Sequence, residues 1–270
     1  MELKLWQVDA FADKAFEGNP AAVVPLSAWL GDELMQSIAA ENNLSETAFF
    51  VSTGAGKYDL RWFTPSVEVS LCGHATLASA YVVFTHLQPQ LSRVEFSTKS
   101  GVLTVEKAAD GYLAMALPAY AAVPHPDGED FKEALEEALS LEPLELFKAN
   151  YPLAVFATAD EILEAESDGL VADVLDEFEE DGIILTAPGG DTGFDFVSRF
   201  FVPGKGIAED PVTGSAHAAL VPFWAKRLGK AKLLARQMSP RGGTLICEEQ
   251  GERVLLKGRV APYLEGVIKV

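Results

Sequence analysis

Cysteine and long apolar runs are both scarce in this sequence. Only two of its 270 residues are cysteines, Cys72 and Cys247. Two thiols in a chain of this size do not form a disulfide framework, so the sequence predicts a reducing, cytoplasmic compartment. No apolar run approaches the roughly 20 residues that span a bilayer. The first residues, MELKLWQVDAF, lack the basic segment and apolar core of a secretory signal. We therefore expect neither export nor a membrane partner.

Positive charge is scarce as well. Lys and Arg together number 21 against 40 Asp and Glu, which gives a net charge of −19. A charge of this sign repels nucleic acid and anionic membrane surfaces and excludes both as partners. Much of the acid lies at 128–145 and 159–181, where apolar residues recur at helical spacing. That pattern predicts the solvated faces of surface helices rather than a metal-binding cluster.

Three segments of the chain recur in the same order at a nearly constant offset. RWFTP at 61–65 returns as RFFVP at 199–203, GHATLA at 73–78 as GSAHAA at 214–219, and STKSGVLTVE at 97–106 as SPRGGTLICE at 239–248. The chain is long enough for two domains of ordinary size. We therefore predict a duplicated domain, with a first repeat at 1–118 and a second at 119–270, whose last strand could pack on the first.

Each repeat is predicted to be a curled, mainly antiparallel sheet around one central helix, so that the fold class is α+β. Residues 74–87 and 215–228 are small or apolar on nearly every side, and a helix without a polar face must be buried all round. Pro222 fits the second of these helices only near its first turn or with a kink. An outer amphipathic helix is expected at 27–42, with Trp29 and Leu30 on its apolar stripe.

Both central helices are predicted to begin at a glycine, Gly73 or Gly214. A helix start offers unpaired N–H groups and a partial positive charge, and glycine lets a ligand approach the backbone closely. We expect the two starts to face one cleft and to bind an anion, most simply a carboxylate. The polar side chains near them belong to Glu46, His74, Asp210, Thr213, Ser215 and His217.

These polar residues also have simpler interpretations. Asp210, Thr213 and Ser215 are residue types that cap helices. Glu46 lies in a turn between the outer helix and a strand, and its local sequence favours a surface acid.

Four strings along the chain resemble the signature motifs of the PhzF-like proteins of phenazine biosynthesis. They are FEGNP at 16–20, NLSET at 43–47, CGHAT at 72–76 and EDPVTGSA at 209–216. The resemblance runs from the first strand to about residue 260. It implies the diaminopimelate-epimerase-like fold, a homodimer, and an isomerase that needs no cofactor. The founding activity of that family is a proton shift on a dihydro-hydroxyanthranilate, a cyclic amino acid.

Carried over by motif, the resemblance assigns roles to particular residues. It makes Glu46 the catalytic acid/base, with His74 and Asp210 acting on the substrate beside it. Substrate-binding groups are expected at Gly73, Thr213, Gly214 and Ser215. The expected partner is a small carboxylate-bearing molecule.

Other interpretations stay open at this stage. Ser215, His74 and Asp210 could form a hydrolase triad, although Ser215 does not lie in a Gly-x-Ser-x-Gly turn. A metal site at His74, His217 and Asp210 matches no standard ligand spacing, so no metal is expected. The chain could also be a non-catalytic binding protein that has kept the fold. The second helix start has no cysteine, so a racemase with two facing thiols is disfavoured and Cys72 is interpreted as a packing residue.

Overall fold

The structure is a computed structural model that describes residues 1–167 and 169–270. The chain divides into two compact units. The first unit contains residues 1–117 and 255–270, and the second contains residues 118–254.

The first unit is a mixed sheet with two helices, numbered along the chain. Its strands up to residue 118 are β1 (Glu2–Ala10), β2 (Asn19–Leu26), β3 (Glu46–Gly54), β4 (Lys57–Phe63), β5 (Glu68–Val69), β6 (Arg93–Thr98), β7 (Gly101–Lys107) and β8 (Leu113–Pro118). Its helices are α1 (Asp32–Asn42) and α2 (Gly73–Val82), the latter continued by a π-helical turn at Val83–Leu87, with a 3-10 turn at Ala109–Gly111. Most neighbouring strands are antiparallel, but β2 pairs with β3 and β4 pairs with β6 in parallel.

Helix α2 lies inside the first unit, as its lack of a polar face predicts. Leu77, Ala78 and Val82 are completely buried, and the helix contacts β1, β2, β3 and β7. The sheet therefore wraps around α2 and holds the start of the helix at a fixed place in the unit.

The outer helix α1 is shorter than predicted. It begins at Asp32 rather than at residue 27, because Gly31 has extended backbone angles and serves as the N-cap. Trp29 therefore precedes the helix and is 37% exposed. Met35 and Ile38 of α1 pack into an apolar cluster with strand residues such as Phe49.

The second unit has the same kind of architecture. Its strands are β9 (Val123–Pro124), β10 (Glu145–Lys148), β11 (Pro152–Val155), β12 (Ile183–Pro188), β13 (Phe196–Val202), β14 (Ile207–Glu209), β15 (Lys232–Gln237) and β16 (Gly243–Gln250). Its helices are α3 (Gly128–Leu139), α4 (Ala159–Glu164), α5 (Gly169–Glu177) and α6 (Gly214–Leu228), with 3-10 turns at Gly190–Thr192 and Pro203–Lys205. Here β11 pairs with β12, and β13 with β15, in parallel.

The acidic segments form surface helices, as predicted. In α3 and α5 one face is buried, through Phe131, Leu135, Val171 and Leu175, while the acids lie outside that core. The segment predicted at 159–181 consists of two helices, and its residue 168 lies outside the described residues.

Helix α6 accommodates a proline in its interior. Pro222 has no N–H, so it cannot donate to the carbonyl of Ala218 four residues earlier. That carbonyl accepts instead from the backbone N–H of Tyr120 at 3.0 Å. A partner from outside the helix thus satisfies the group that the proline frees.

The last strand of the chain packs on the first, as the sequence analysis allowed. The last strands are β17 (Arg253–Gly258) and β18 (Val260–Lys269). Strand β18 pairs antiparallel with β1 from Glu2↔Lys269 to Ala10↔Val260. The predicted second repeat extended to residue 270, whereas residues 255–270 belong to the first compact unit because of this pairing.

No helix among the described residues is long and apolar enough to cross a membrane.

Candidate active site

The predicted site residues fall into two groups, one in each unit. Glu46, Gly73 and His74 lie in the first unit, at the beginnings of β3 and α2. Asp210, Thr213, Gly214 and Ser215 lie in the second unit, at the beginning of α6.

Glu46 is held between α1 and β3 by a tight turn. Asn43 takes a left-handed conformation, with φ 49°, and its N–H donates to the carbonyl of Ala39 at 3.1 Å. The side chain of Asn42 donates to the Thr47 hydroxyl at 3.0 Å. The Glu46 side chain is only 16% exposed, so the simpler interpretation of a surface acid is wrong. The turn points this carboxylate into the protein.

His74 and Glu46 meet as a buried pair. Nε2 of His74 lies 3.1 Å from Oε2 of Glu46, and the His74 side chain is 4% exposed. Neither atom makes a well-aligned hydrogen bond, so the contact is a close ionic approach. Burial alone would lower the pKa of His74, but the Glu46 carboxylate next to the ring outweighs it and holds the pKa well above its ordinary value.

Cys72 completes this group. It is a free, buried thiol at the N-cap of α2, and its Sγ lies 3.5 Å from Nδ1 of His74. Burial first, and then the Glu46 carboxylate, raises the pKa of the thiol to about 11. The thiol is therefore protonated at neutral pH and is not an activated nucleophile. Sequence reasoning treated Cys72 as packing; its place two residues before His74 was the available signal.

Both helix starts keep the features that favour an anion. Neither Cys72 before α2 nor Thr213 before α6 makes a side-chain capping bond, and neither first turn contains an acidic residue. The N–H groups of these turns and their partial positive charge are thus not neutralised by side chains of their own turn.

In the second unit, the polar residues before α6 form a bonded network. The Thr213 hydroxyl donates to the Asp210 carboxylate. Gln237 accepts from the Thr213 N–H at 2.8 Å and donates to the Asp210 carbonyl at 2.7 Å. The predicted substrate-binding Thr213 therefore has its N–H and its hydroxyl engaged within the protein. Ser215 remains half-buried, and its carbonyl accepts from Asn150 at 3.1 Å.

Sequence reasoning missed Gln237 and Asn150. Gln237 is completely buried at the end of β15, where a polar residue follows an alternating strand. That position was a usable signal. Asn150 lies in the turn between β10 and β11 and had no signal of its own.

His217 differs from His74 in its chemistry, although both lie near the start of a helix. Its Nδ1 lies 2.8 Å from the Thr213 carbonyl, which can only accept, so Nδ1 carries the proton. Burial lowers the pKa of His217 to about 4. The ring is thus a neutral, structural group.

One cluster is compact enough for a metal ion. Donor atoms of Glu46, Cys72 and His74 lie within 4.8 Å of one another. Thiolate, imidazole and carboxylate are all zinc ligands. However, the two neighbours of His74 meet different ring nitrogens, so one ion cannot use both contacts as they stand. This cluster also differs from the set of His74, His217 and Asp210 considered above. The expectation of no metal stays a prediction.

Comparison with known proteins first defines the class. The fold is that of the epimerases: a solved hydroxyproline epimerase from Agrobacterium vitis superimposes with a TM-score of 0.64 over 99% of this chain and 92% of that chain, at 11% identity. An uncharacterized isomerase of Pseudomonas aeruginosa is 47% identical over 276 residues, which cover 99% of each chain. The protein is thus an isomerase with an α+β, epimerase-like fold.

The family follows from two further matches. A solved PhzF-family protein from Enterococcus faecalis has a TM-score of 0.90 and 40% identity, with complete coverage of both chains. Residues 8–266 match the model of the PhzC/PhzF phenazine biosynthesis-like proteins. The chain belongs to this family.

Proposed function

We propose that the protein moves a proton on a small, carboxylate-bearing substrate, with Glu46 as the acid/base and without a cofactor. The observation that carries this proposal is the buried Glu46 carboxylate, 3.1 Å from the His74 ring at the start of α2. A carboxylate that is 16% exposed and paired with a histidine retains little water around it. Removal of water strengthens its interactions with a bound substrate.

The proposed reaction is a proton transfer between two carbons. Glu46 removes a proton from a carbon next to an unsaturated or carboxylate-bearing group, and the same proton is returned at another carbon. No electron is gained or lost, so no redox partner is needed. His74 and Asp210 orient or polarise the reacting end of the substrate. A positioned base of this kind contributes on the order of 10²–10⁴ in rate.

The substrate carboxylate is proposed to bind the helix starts. Gly73 and Gly214 would donate from the backbone, with the Ser215 hydroxyl beside the second of them. A cyclic amino or hydroxy acid is the substrate class. We also propose that the protein is a homodimer in the cytoplasm. Size-exclusion chromatography with light scattering tests the oligomeric state.

The hydrolase alternative has less support. A serine hydrolase requires a histidine nitrogen against the serine hydroxyl. Both ring nitrogens of His74 already face other side chains, Cys72 and Glu46. An acyl-type serine probe that labels Ser215 would favour the hydrolase.

Deuterium incorporation from D₂O tests the proposal. The purified protein is incubated with a panel of cyclic and acyclic amino and hydroxy acids, and exchange is followed by NMR. We expect Glu46→Gln to lose exchange by on the order of 10²–10⁴ while keeping its folded structure, as circular dichroism would show. Glu41→Gln removes an exposed carboxylate of α1 and is the matched control. Exchange at the wild-type rate in Glu46→Gln would refute the role of Glu46.

A further inference from the structure

Cys72 has no part in the proton transfer just described, yet its thiol touches the site. Its Sγ lies 3.5 Å from Nδ1 of His74, and Nε2 of the same ring lies 3.1 Å from Oε2 of Glu46. The imidazole ring thus has a thiol at one nitrogen and a carboxylate at the other. All three side chains are buried or nearly so.

The chemistry of the thiol decides which nitrogen carries the proton in the neutral ring. A protonated thiol is a donor, although a weak one, and an unprotonated ring nitrogen is an acceptor. An S–H that points at Nδ1 therefore leaves the single ring proton on Nε2. Burial raises the pKa of the Cys72 thiol to about 11, so this donor is still present at the mildly alkaline pH at which the ring is neutral.

On the Glu46 side the arrangement is the same when the ring is charged, whereas Nδ1 then donates to the Cys72 sulfur. An imidazolium has protons on both nitrogens, so an N–H still faces Glu46. The opposite tautomer would place a bare Nε2 lone pair 3.1 Å from a carboxylate oxygen, which is repulsive. The thiol and the carboxylate thus favour the same tautomer from the two sides of the ring.

We propose that Cys72 is a positioning residue whose thiol fixes the Nε2–H tautomer of His74 and so keeps an N–H, rather than a bare lone pair, on the ring nitrogen next to the Glu46 carboxylate. The consequence for catalysis rests on the proposed function, because it matters only if Glu46 is the base. An N–H beside the carboxylate holds Glu46 in one orientation between turnovers. The tautomer itself does not depend on that function.

The test reads the tautomer directly. Nitrogen-15 NMR of the imidazole groups distinguishes a protonated from an unprotonated ring nitrogen. The spectra are recorded at a pH high enough to make the His74 ring neutral. The chain has four histidines, and the His74 signals are assigned by their loss in His74→Asn. We compare wild type with Cys72→Ala and Cys72→Val, which lack the donor, and with Cys72→Ser, which keeps one. Cys247→Ala removes the other buried thiol, in β16, and is the matched control.

The expected result is a single Nε2–H form in wild type, Cys72→Ser and Cys247→Ala, and a mixture of both tautomers in Cys72→Ala. Cys72→Val fills the thiol volume and replaces the alanine variant if that one does not fold. Wild-type protein with the proton on Nδ1 would overturn the proposal, and so would variants without the donor that keep the wild-type spectrum.

An activity measurement follows once the deuterium panel supplies a substrate. Cys72→Ala is expected to lower kcat on the order of 10-fold with little change in KM, by analogy with lost outer partners of other functional histidines. Cys72→Ser should restore it. If Glu46→Gln remains fully active the proposed function fails, whereas the NMR result stands or falls independently.

Discussion

Two buried histidines of this protein have opposite electrostatic surroundings. His74 is beside the Glu46 carboxylate and its pKa is raised, while His217 contacts the Thr213 backbone carbonyl and burial lowers its pKa to about 4. Both side chains are buried. Burial therefore does not by itself decide the charge of a histidine here, since at His74 the close carboxylate outweighs it.

The two histidines predict opposite dependences of stability on pH. A raised pKa stabilises the folded state below the unfolded value of about 6.5, and that contribution is lost as pH rises through the folded value. We therefore expect the destabilisation caused by His74→Asn to be largest near pH 6 and to shrink toward alkaline pH. The groups that face His74 within its unit are Glu46 and Cys72.

The lowered pKa of His217 affects the stability of the folded protein at acidic pH. Its contribution is present above about pH 6.5 and is lost as pH falls toward 4, by about 3 kcal/mol in all. His217→Asn keeps an N–H for the Thr213 carbonyl and cannot be protonated. Relative to wild type, this variant should gain stability as pH falls through that window.

Urea unfolding at several pH values measures the effects at both histidines, with exposed His86→Asn as the control. A parallel pH dependence in all three variants would contradict the assignment.

At the scale of elements, each unit contains a two-stranded hairpin whose strands are joined by an Arg–Glu pair. Arg61 on β4 makes two hydrogen bonds of 2.8 Å with Glu68 on β5, and Arg199 on β13 makes two of the same length with Glu209 on β14. In each unit the hairpin precedes the central helix, and the next strand pairs in parallel with the arginine strand. The hairpin thus fixes the turn that leads to each helix start.

The two hairpins differ in burial, which predicts different costs of disruption. Arg199 is 10% exposed and also donates to the backbone carbonyls of residues 162, 163 and 165. Arg61 is 21% exposed, and its second salt-bridge partner, Asp32, is 74% exposed. We expect Arg199→Met to lower the free energy of unfolding by about 3–5 kcal/mol. Arg61→Met should cost less than half of that because water reaches the Arg61 side chain and its second partner Asp32.

Urea unfolding of the two variants measures this difference. The double variant Arg199→Met with Glu209→Leu should recover part of the loss, since it leaves no unpaired buried charge. Equal losses at Arg61 and Arg199 would show that burial does not set the cost.

At the scale of the whole molecule, the net charge of −19 is the main electrostatic feature. Like charges repel most in the compact state, and salt screens them, with a Debye length of about 10 Å at 0.1 M. We expect the melting temperature to rise as sodium chloride is increased from low to moderate concentration. An unchanged or falling melting temperature would mean that the ion pairs lost to screening outweigh the relief of repulsion.

The absence of a metal cofactor is also predicted at this scale. Purified protein should contain less than stoichiometric zinc by elemental analysis, and chelation with EDTA should leave deuterium exchange and melting temperature unchanged. A stoichiometric metal that Cys72→Ala removes would instead assign the cluster of Glu46, Cys72 and His74 to metal binding.

Local pattern was sufficient for the elements of this protein. The absence of a polar face predicted the burial of α2 and α6, and the spacing of apolar residues predicted the acidic surface helices. The motifs that resemble the PhzF-like proteins pointed to the family, which the match over residues 8–266 confirmed. These features follow from neighbours within a few turns or strands, so the amino-acid order alone specifies them.

Only the tertiary structure decided the contacts between distant parts of the chain. It buried Glu46 against His74, brought the Tyr120 N–H to the carbonyl that Pro222 leaves free, and paired β18 with β1 at the other end of the sequence. The partners in these contacts lie between 28 and 267 residues apart. No local propensity encodes such a contact; it exists because the folded sheet brings distant parts of the chain together.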